Sequence, residues 1–176
     1  MITFSRIQSE SNPFYSVAFA LCADSFPIHE QRLRESQQQI LTHPQYHCCA
    51  VLENGSFCGI LFYWEIGKIS YIEHFAVSFG QRGKGIGSQI LKTFLKEHPL
   101  TVLEIDPPCD SVSIRRKGFY ERLRFAENLQ EHFHPSYRPG VSPHALRVMS
   151  FPRIISEKEY EVFFAYLKDT VMDRAY

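Results

Sequence analysis

The chain has 176 residues, 44% of them apolar and 14% aromatic, and 19 Lys+Arg balance 19 Asp+Glu, so the formal net charge is zero. That length suits a single domain of roughly 100–200 residues with a sizeable core. The neutral balance excludes a globally basic binder of nucleic acid or anionic membrane, whose affinity comes from counterion release. The longest apolar runs, Val17 to Ala23 and Gly59 to Trp64, fall far short of the roughly 18–20 residues that span a bilayer. The start, Met1-Ile2-Thr3-Phe4-Ser5-Arg6, lacks the basic and apolar segments of a secretory leader, so a cytoplasmic protein is expected. Five cysteines, Cys22, Cys48, Cys49, Cys58 and Cys109, are odd in number and lack CxxC spacing, which disfavours disulfides and zinc. His132 and His134 lie two apart, but no further ligands are spaced to join them, and no metal is expected.

In chain order, Ile2 to Ile7 alternates as a first strand. Helical patterns follow over Phe14 to Ala23 and His29 to Leu41, broken at Ser25-Phe26-Pro27. His47 to Glu53 and Phe57 to Glu65 read as strands around the hairpin signal Asn54-Gly55, and Ile69 to Val77 pairs next through Gly67-Lys68. From Gly85 the period becomes helical, with Ile86, Ile90, Leu91, Phe94 and Leu95 on one stripe ending before Pro99. Thr101 to Asp106 is a strand stopped by Pro107-Pro108. Ser113 to Leu123 suits a helix, Phe125 to Phe133 a strand, and Ala145 to Phe151 a last strand after the loop His134 to Pro143. Ser156 to Glu159 is a capping box, and Tyr160, Phe163, Phe164, Leu167 and Val171 give the terminal helix one apolar face. The order β-α-α-β-β-β-α-β-α-β-β-α is mixed α/β, with no repeat or linker to divide it.

The stretch Gln81-Arg82-Gly83-Lys84-Gly85-Ile86-Gly87-Ser88 sits between a strand and the first turn of a helix. There, unpaired N–H groups and the positive end of a helix dipole converge, and glycines remove the Cβ atoms that would hold a phosphate away. A P-loop is excluded because Ile86-Gly87 follows Gly85 in place of Lys-Ser/Thr. A dinucleotide fingerprint is excluded because Ser88 stands where its last glycine belongs.

With these residues the chain resembles the GNAT family of acetyl-CoA-dependent N-acetyltransferases. Their motif Gln/Arg-x-x-Gly-x-Gly/Ala is matched by Arg82 to Gly87, Glu73-His74-Phe75-Ala76-Val77 looks like their fourth strand, and Gly118 to Phe125 resembles their Phe-Tyr-x-x-x-Gly-Phe segment, with Arg124 in place of glycine. The resemblance covers the element order of residues 1–153, leaving 154–176 as a C-terminal helical extension. It implies a twisted, splayed mixed sheet of about seven strands flanked by helices. It also implies that the backbone from Arg82 through Gly83, Lys84, Gly85, Ile86 and Gly87 to Ser88 holds the pyrophosphate of acetyl-CoA, the co-substrate. Phe75, Ala76 and Val77 would flank the pantetheine arm, paired through Phe75 and Val77, and Ser113 would stand where members carry a pantetheine-contacting asparagine.

Acetyl transfer from a thioester to an amine needs a neutral amine, a stabilised oxyanion and a protonated leaving thiolate. Strict alternation places Tyr71, Glu73, Phe75 and Val77 on one face, with Ile72, His74 and Ala76 on the other. Glu73 is the candidate base, with a cross-strand ion pair as its structural alternative. The resemblance makes Tyr120 the general acid toward sulfur, and its phenol is protonated at neutral pH. The Val77 N–H is the expected oxyanion donor. Phe26, Glu30, Tyr63, His134 and Tyr137 are candidates for an amine pocket. The acceptor is a small-molecule or peptidyl amine; the other reading of the same fold is a non-catalytic acyl-CoA sensor. The terminal helix either covers the sheet or forms a homodimer. Zero net charge is itself an average: Arg82 to Lys96 has four basic residues and no acid, and Arg115 to Arg124 has five against one, so an anionic ligand is expected on one side and a cationic amine on the other.

Overall fold

A computed structural model describes residues 1–175. In chain order the elements are β1 (Ile2–Arg6), α1 (Tyr15–Ser25), a 3-10 turn (Ile28–Glu30), α2 (Arg34–Ile40), β2 (Tyr46–Glu53), β3 (Ser56–Ile66) and β4 (Ile69–Val77). After a 3-10 turn at Phe79–Gln81 come α3 (Ile86–Phe94), β5 (Thr101–Ile105), α4 (Ser111–Arg122), β6 (Ala126–Glu127), β7 (Phe133–His134), β8 (His144–Ala145), β9 (Arg147–Phe151) and α5 (Glu157–Tyr166), whose last turn widens into a π-helical turn at Leu167–Val171. One seven-stranded sheet runs β1-β2-β3-β4-β5-β9-β6, and β7-β8 form a separate ribbon. Only β4 and β5 are parallel neighbours, joined by the crossover through α3. No helix among the described residues is long and apolar enough to cross a membrane.

Each sheet face carries its own helical layer. On one face Phe62, Trp64, Tyr71 and Ala76 pack with Ala18, Leu21, Phe163 and Leu167 from α1 and the α5 region; on the other Leu61, Ile72, Leu103 and Met149 pack with Ile86, Ile90, Leu91, Phe94 and Tyr120 from α3 and α4. The terminal helix therefore covers the sheet: the Phe163 ring lies 5.1 Å from that of Tyr71, and Tyr166 lies 6.1 Å from Trp64. Its capping box forms, with Ser156 accepting from the Glu159 N–H and Glu159 accepting from the Ser156 N–H.

Three elements depart from the sequence pattern. The helix expected over His29 to Leu41 is split, because Gln31 and Leu33 are extended; Arg32 between them turns inward to bond Glu73, an inducement that local propensity does not contain. The strand expected over Phe125 to Phe133 keeps only Ala126–Glu127 on β9. Buried Asn128 ends it, donating to Val148 O and Ser150 Oγ and accepting from Ile155 N. Phe133–His134 pairs instead with His144–Ala145. Finally, β4 is bulged. Phe62 faces His74 and Tyr63 faces Ile72, so Glu73 has no opposite number on β3. The extra residue breaks strict alternation: His74 and Ala76 follow Tyr71 onto the α5 face, whereas Ile72, Phe75 and Val77 pack on the α3 face.

Candidate functional site

β4 touches β5 only from Ser70 to Ile72, opposite Thr101 to Leu103, so the rest of β4 is open on that side. Its hydrogen-bond polarity follows from one contact. Ser78 N donates to Cys58 O, making that opposed pair hydrogen-bonded; alternation then makes Val77–Gly59 and Phe75–Leu61 the non-bonded pairs. The N–H and C=O groups of Phe75 and Val77 accordingly point into the gap. Val77 O already accepts from Arg82 Nε there, at 2.9 Å.

The gap opens onto the glycine-rich turn. Gly83 and Gly85 hold φ of +77° and +80°, the left-handed region that glycine enters at least cost, and Gly85 caps α3 with no side-chain acceptor. No N–H from Gly83 to Ser88 meets an acceptor among the described residues. With Arg82, Arg115 and Arg116 they line an outer groove of about 440 Å³, a surface suited to a pyrophosphate. Two expected contacts lie elsewhere. Ser113 is buried at the start of α4, its hydroxyl accepting from Cys109 N and Asp110 N and donating to Asp110 O; the asparagine-like role is taken up by helix capping. Lys84 folds back to Gly80 O at 2.7 Å, so of this residue only the N–H faces a ligand.

Phe75, Val77, Arg82 and Arg116 continue from that groove into a cleft of about 260 Å³ that also contains Ala76, Glu73 and Tyr120. Glu73, Glu104, Phe26 and Arg116 continue from the cleft into a recess of about 70 Å³ on the α5 face. These shared residues place the three concavities in one row, with Arg82, Arg115 and Arg116 at one end and Glu30, Glu73, Glu104 and Asp106, the last paired with Arg116 at 2.6 Å, at the other. The expected catalytic pair, Tyr120 and Glu73, meets at the middle of that row. The Tyr120 hydroxyl has no hydrogen-bond partner among the described residues, and burial pushes its pKa up to about 12.

Three donors hold Glu73, two on Oε1 and one on Oε2. Its carboxylate accepts from Trp64 Nε1 at 2.8 Å, Tyr137 OH at 2.7 Å and Arg32 Nη2 at 3.1 Å, and the Arg32 and Glu73 side chains are each 1% exposed. Burial would raise this carboxyl, but the charges of Arg32 and His74 and the two neutral donors outweigh it and hold it below the ordinary carboxylate value. A base needs a free lone pair and a pKa nearer the working pH. The lowered pKa opposes the expected role of base; Glu73 is a buried negative charge paired with Arg32 at the bulge.

The recess brings together Phe26, Glu30, His134 and Tyr137 as anticipated. Tyr63 is not among them. It lies on the α3 face, stacked on His47 and edge-on to Phe94, because the bulge falls between its pairing partner and Glu73. Sequence reasoning missed Glu104. This buried β5 carboxylate accepts from Tyr71 OH at 2.5 Å and from His132 Nε2, and its pKa is lowered to about 2: burial opposes ionisation, but His134, His132 and Tyr71 overcome it. His132 is sealed, its Nδ1 in hydrogen-bond contact with Tyr160 OH on α5 at 2.9 Å. A lone carboxylate inside a short β-rich run was the only available signal. Four cysteines are buried, Cys109 is exposed, and all are free.

The family model for the acetyltransferase (GNAT) family matches residues 6–125. Among solved structures, a protein described as a GNAT-family acetyltransferase from Bacteroides thetaiotaomicron superposes with a TM-score of 0.90 at 25% identity, covering 97% of this chain and 98% of that one. The ribosomal-protein-S18-alanine N-acetyltransferase of Escherichia coli reaches 0.58 at 18% identity over 90% and 97%. Arabidopsis thaliana Naa50, solved with the bisubstrate analogue CoA-Ac-MVNAL, reaches 0.58 at 15% over 85% and 97%; these two likenesses are of fold. No curated protein sequence matches significantly.

Proposed function

Since the chain belongs to the GNAT acetyltransferase family, we propose that it transfers an acetyl group from acetyl-CoA directly to a primary amine of a small molecule or peptide. The observation that carries this reading is the row of adjoining concavities beside the open edge of β4, with unpaired N–H groups at one end and carboxylates at the other. Bound at the outer groove, acetyl-CoA supplies an activated thioester. The backbone from Arg82 to Ser88 and the guanidiniums of Arg82, Arg115 and Arg116 hold its pyrophosphate, and the open edge at Phe75 and Val77 pairs with its amide-bearing arm. The Val77 N–H, already aimed into the gap, stabilises the oxyanion. Tyr120 stays protonated across the neutral range and hydrogen-bonds the departing sulfur. Glu73 and Glu104 draw an ammonium into the recess, whose small volume selects a slender amine head. The protein acts in the cytoplasm.

Release of free thiol from acetyl-CoA in the presence of spermidine, L-lysine, tyramine and a peptide with a free N-terminal alanine, measured beside acetyl-CoA affinity, tests this. Turnover with at least one amine is expected. Tight acetyl-CoA binding with no thiol release from any amine overturns it in favour of an acyl-CoA sensor.

A further inference from the structure

We propose that His134 is the catalytic base of this reaction, taking the acceptor's ammonium proton on Nε2 while the Pro135 carbonyl fixes its tautomer and Glu104 stabilises the cation formed. The assignment rests on the transferase reading above.

The recess places three histidines near its carboxylates, and their hydrogen bonds separate them. His132 has both nitrogens committed, to Glu104 and to Tyr160 OH, and its side chain is 0% exposed. His74 donates from Nε2 to Glu30 O at 2.8 Å; its Nδ1 has no partner but is sealed from solvent, and burial lowers its pKa. His134 differs. Its Nδ1 lies 2.5 Å from Pro135 O. A carbonyl only accepts, so Nδ1 carries the proton and the neutral ring offers its Nε2 lone pair. That nitrogen lies 3.7 Å from Glu104 Oε2, too far for a hydrogen bond, and His134 lines the recess. The groups around the ring are Glu104 from β5, His74 from β4, Glu30 from the 3-10 turn, Tyr137 from the following loop, His144 from β8, and the Arg116–Asp106 ion pair between α4 and the end of β5.

The proton balance is complete. An N–H bond of R–NH3+ breaks as Nε2–H forms, and the freed amine pair attacks the thioester carbon. The C–S bond then breaks, sulfur takes the Tyr120 proton, and the amide nitrogen returns one proton to the phenolate. One proton per turnover is left on His134. Its way out is marked by rings: His144 lies 5.8 Å from His134 between centroids, and His29, with 46% of its side chain exposed, lies 5.6 Å from His144.

His134→Asn keeps a donor for Pro135 O and removes Nε2. With the best amine of the panel, it is expected to lower kcat/KM by about 100-fold or more and to erase the acidic limb of the pH profile, with acetyl-CoA affinity within about twofold of wild type. A retained acidic limb with near wild-type kcat/KM overturns the assignment. Wild-type protein that binds acetyl-CoA but turns over no amine overturns the transferase reading itself, and this one with it. A readout independent of turnover and of any variant is 15N NMR of the wild-type histidines. A neutral His134 protonated on Nδ1 supports the proposal; one protonated on Nε2 overturns it. His144→Phe should slow turnover several-fold with recovery in concentrated imidazole buffer, and an unchanged rate removes His144 from the exit path.

Discussion

Arg32 and Glu73, 41 positions apart, form an ion pair sealed between the Trp64 and Tyr137 rings, the Arg32 guanidinium carbon lying 5.8 Å and 5.3 Å from their centres. Removing one partner of such a pair strands the other charge, at a cost of about 3–5 kcal/mol. Arg32→Met should therefore destabilise strongly. The double variant Arg32→Met/Glu73→Gln, which strands no charge, should recover a large part of the loss. Urea denaturation of the three proteins checks this; an additive double variant would mean that the pair contributes no coupling.

Glu104 gives the protein an acid-sensitive stability. Its folded-state pKa of about 2 lies below the ordinary value of 4.5, so its contribution is whole above about pH 4.5 and is lost as pH falls toward 2. Unfolding midpoints measured from pH 7 to pH 2 should drop over that window. Glu104→Gln should be less stable at pH 7 and show a shallower acid limb.

Gly87 sits where a Cβ would lie 3.4 Å from Val77 Cγ2 and 3.5 Å from the Phe119 ring. Gly87→Glu adds a carboxylate where the anion-binding N–H groups converge, and acetyl-CoA affinity should fall at least about 100-fold, the worth of roughly 3 kcal/mol. Titration calorimetry beside a melting curve separates lost binding from lost fold. Gly59→Ala acts from behind: its Cβ would lie 2.5 Å from the Ala76 carbonyl oxygen, so β4 must shift at its open end. A drop of about 1–3 kcal/mol is expected, with weaker acetyl-CoA binding.

Tyr120→Phe removes one oxygen from a hydroxyl that no other side chain uses. The fold should be unaffected, acetyl-CoA should bind as before, and kcat should fall about 10-fold to 100-fold. A rate unchanged across the pH range would remove Tyr120 from the chemistry.

Strong local signals survived folding. The Asn54-Gly55 turn has both residues at positive φ, the α3 stripe is buried, and the Ser156 box closes. These depend on neighbours a few residues away, which a sequence displays directly. What failed depends on distant partners. Alternation through β4 is correct on either side of Glu73 and wrong across it, because a bulge is decided by the partner strand. The helix from His29 was interrupted by a carboxylate 41 positions away. For the site, the glycine turn and Tyr120 were legible from their spacing. His134 was legible only as a pocket candidate and Glu104 not at all, because their pairing comes from β5 and β7 meeting above the bulge, between segments that share no motif.

The C-terminal segment does more than close the core. The Val171 carbonyl accepts from Arg32 Nη2, and Tyr160 OH holds His132 against Glu104. Two of the recess carboxylates, Glu73 and Glu104, are thus braced from the last elements of the described chain. Cutting the chain before Ser156 would remove these braces together with the Phe163, Leu167 and Val171 packing on one sheet face, whereas the glycine turn keeps the contacts of the α3 face. Such a truncation should uncouple the two halves of the reaction, preserving recognition of the nucleotide end of acetyl-CoA in a protein that no longer prepares an amine to meet it.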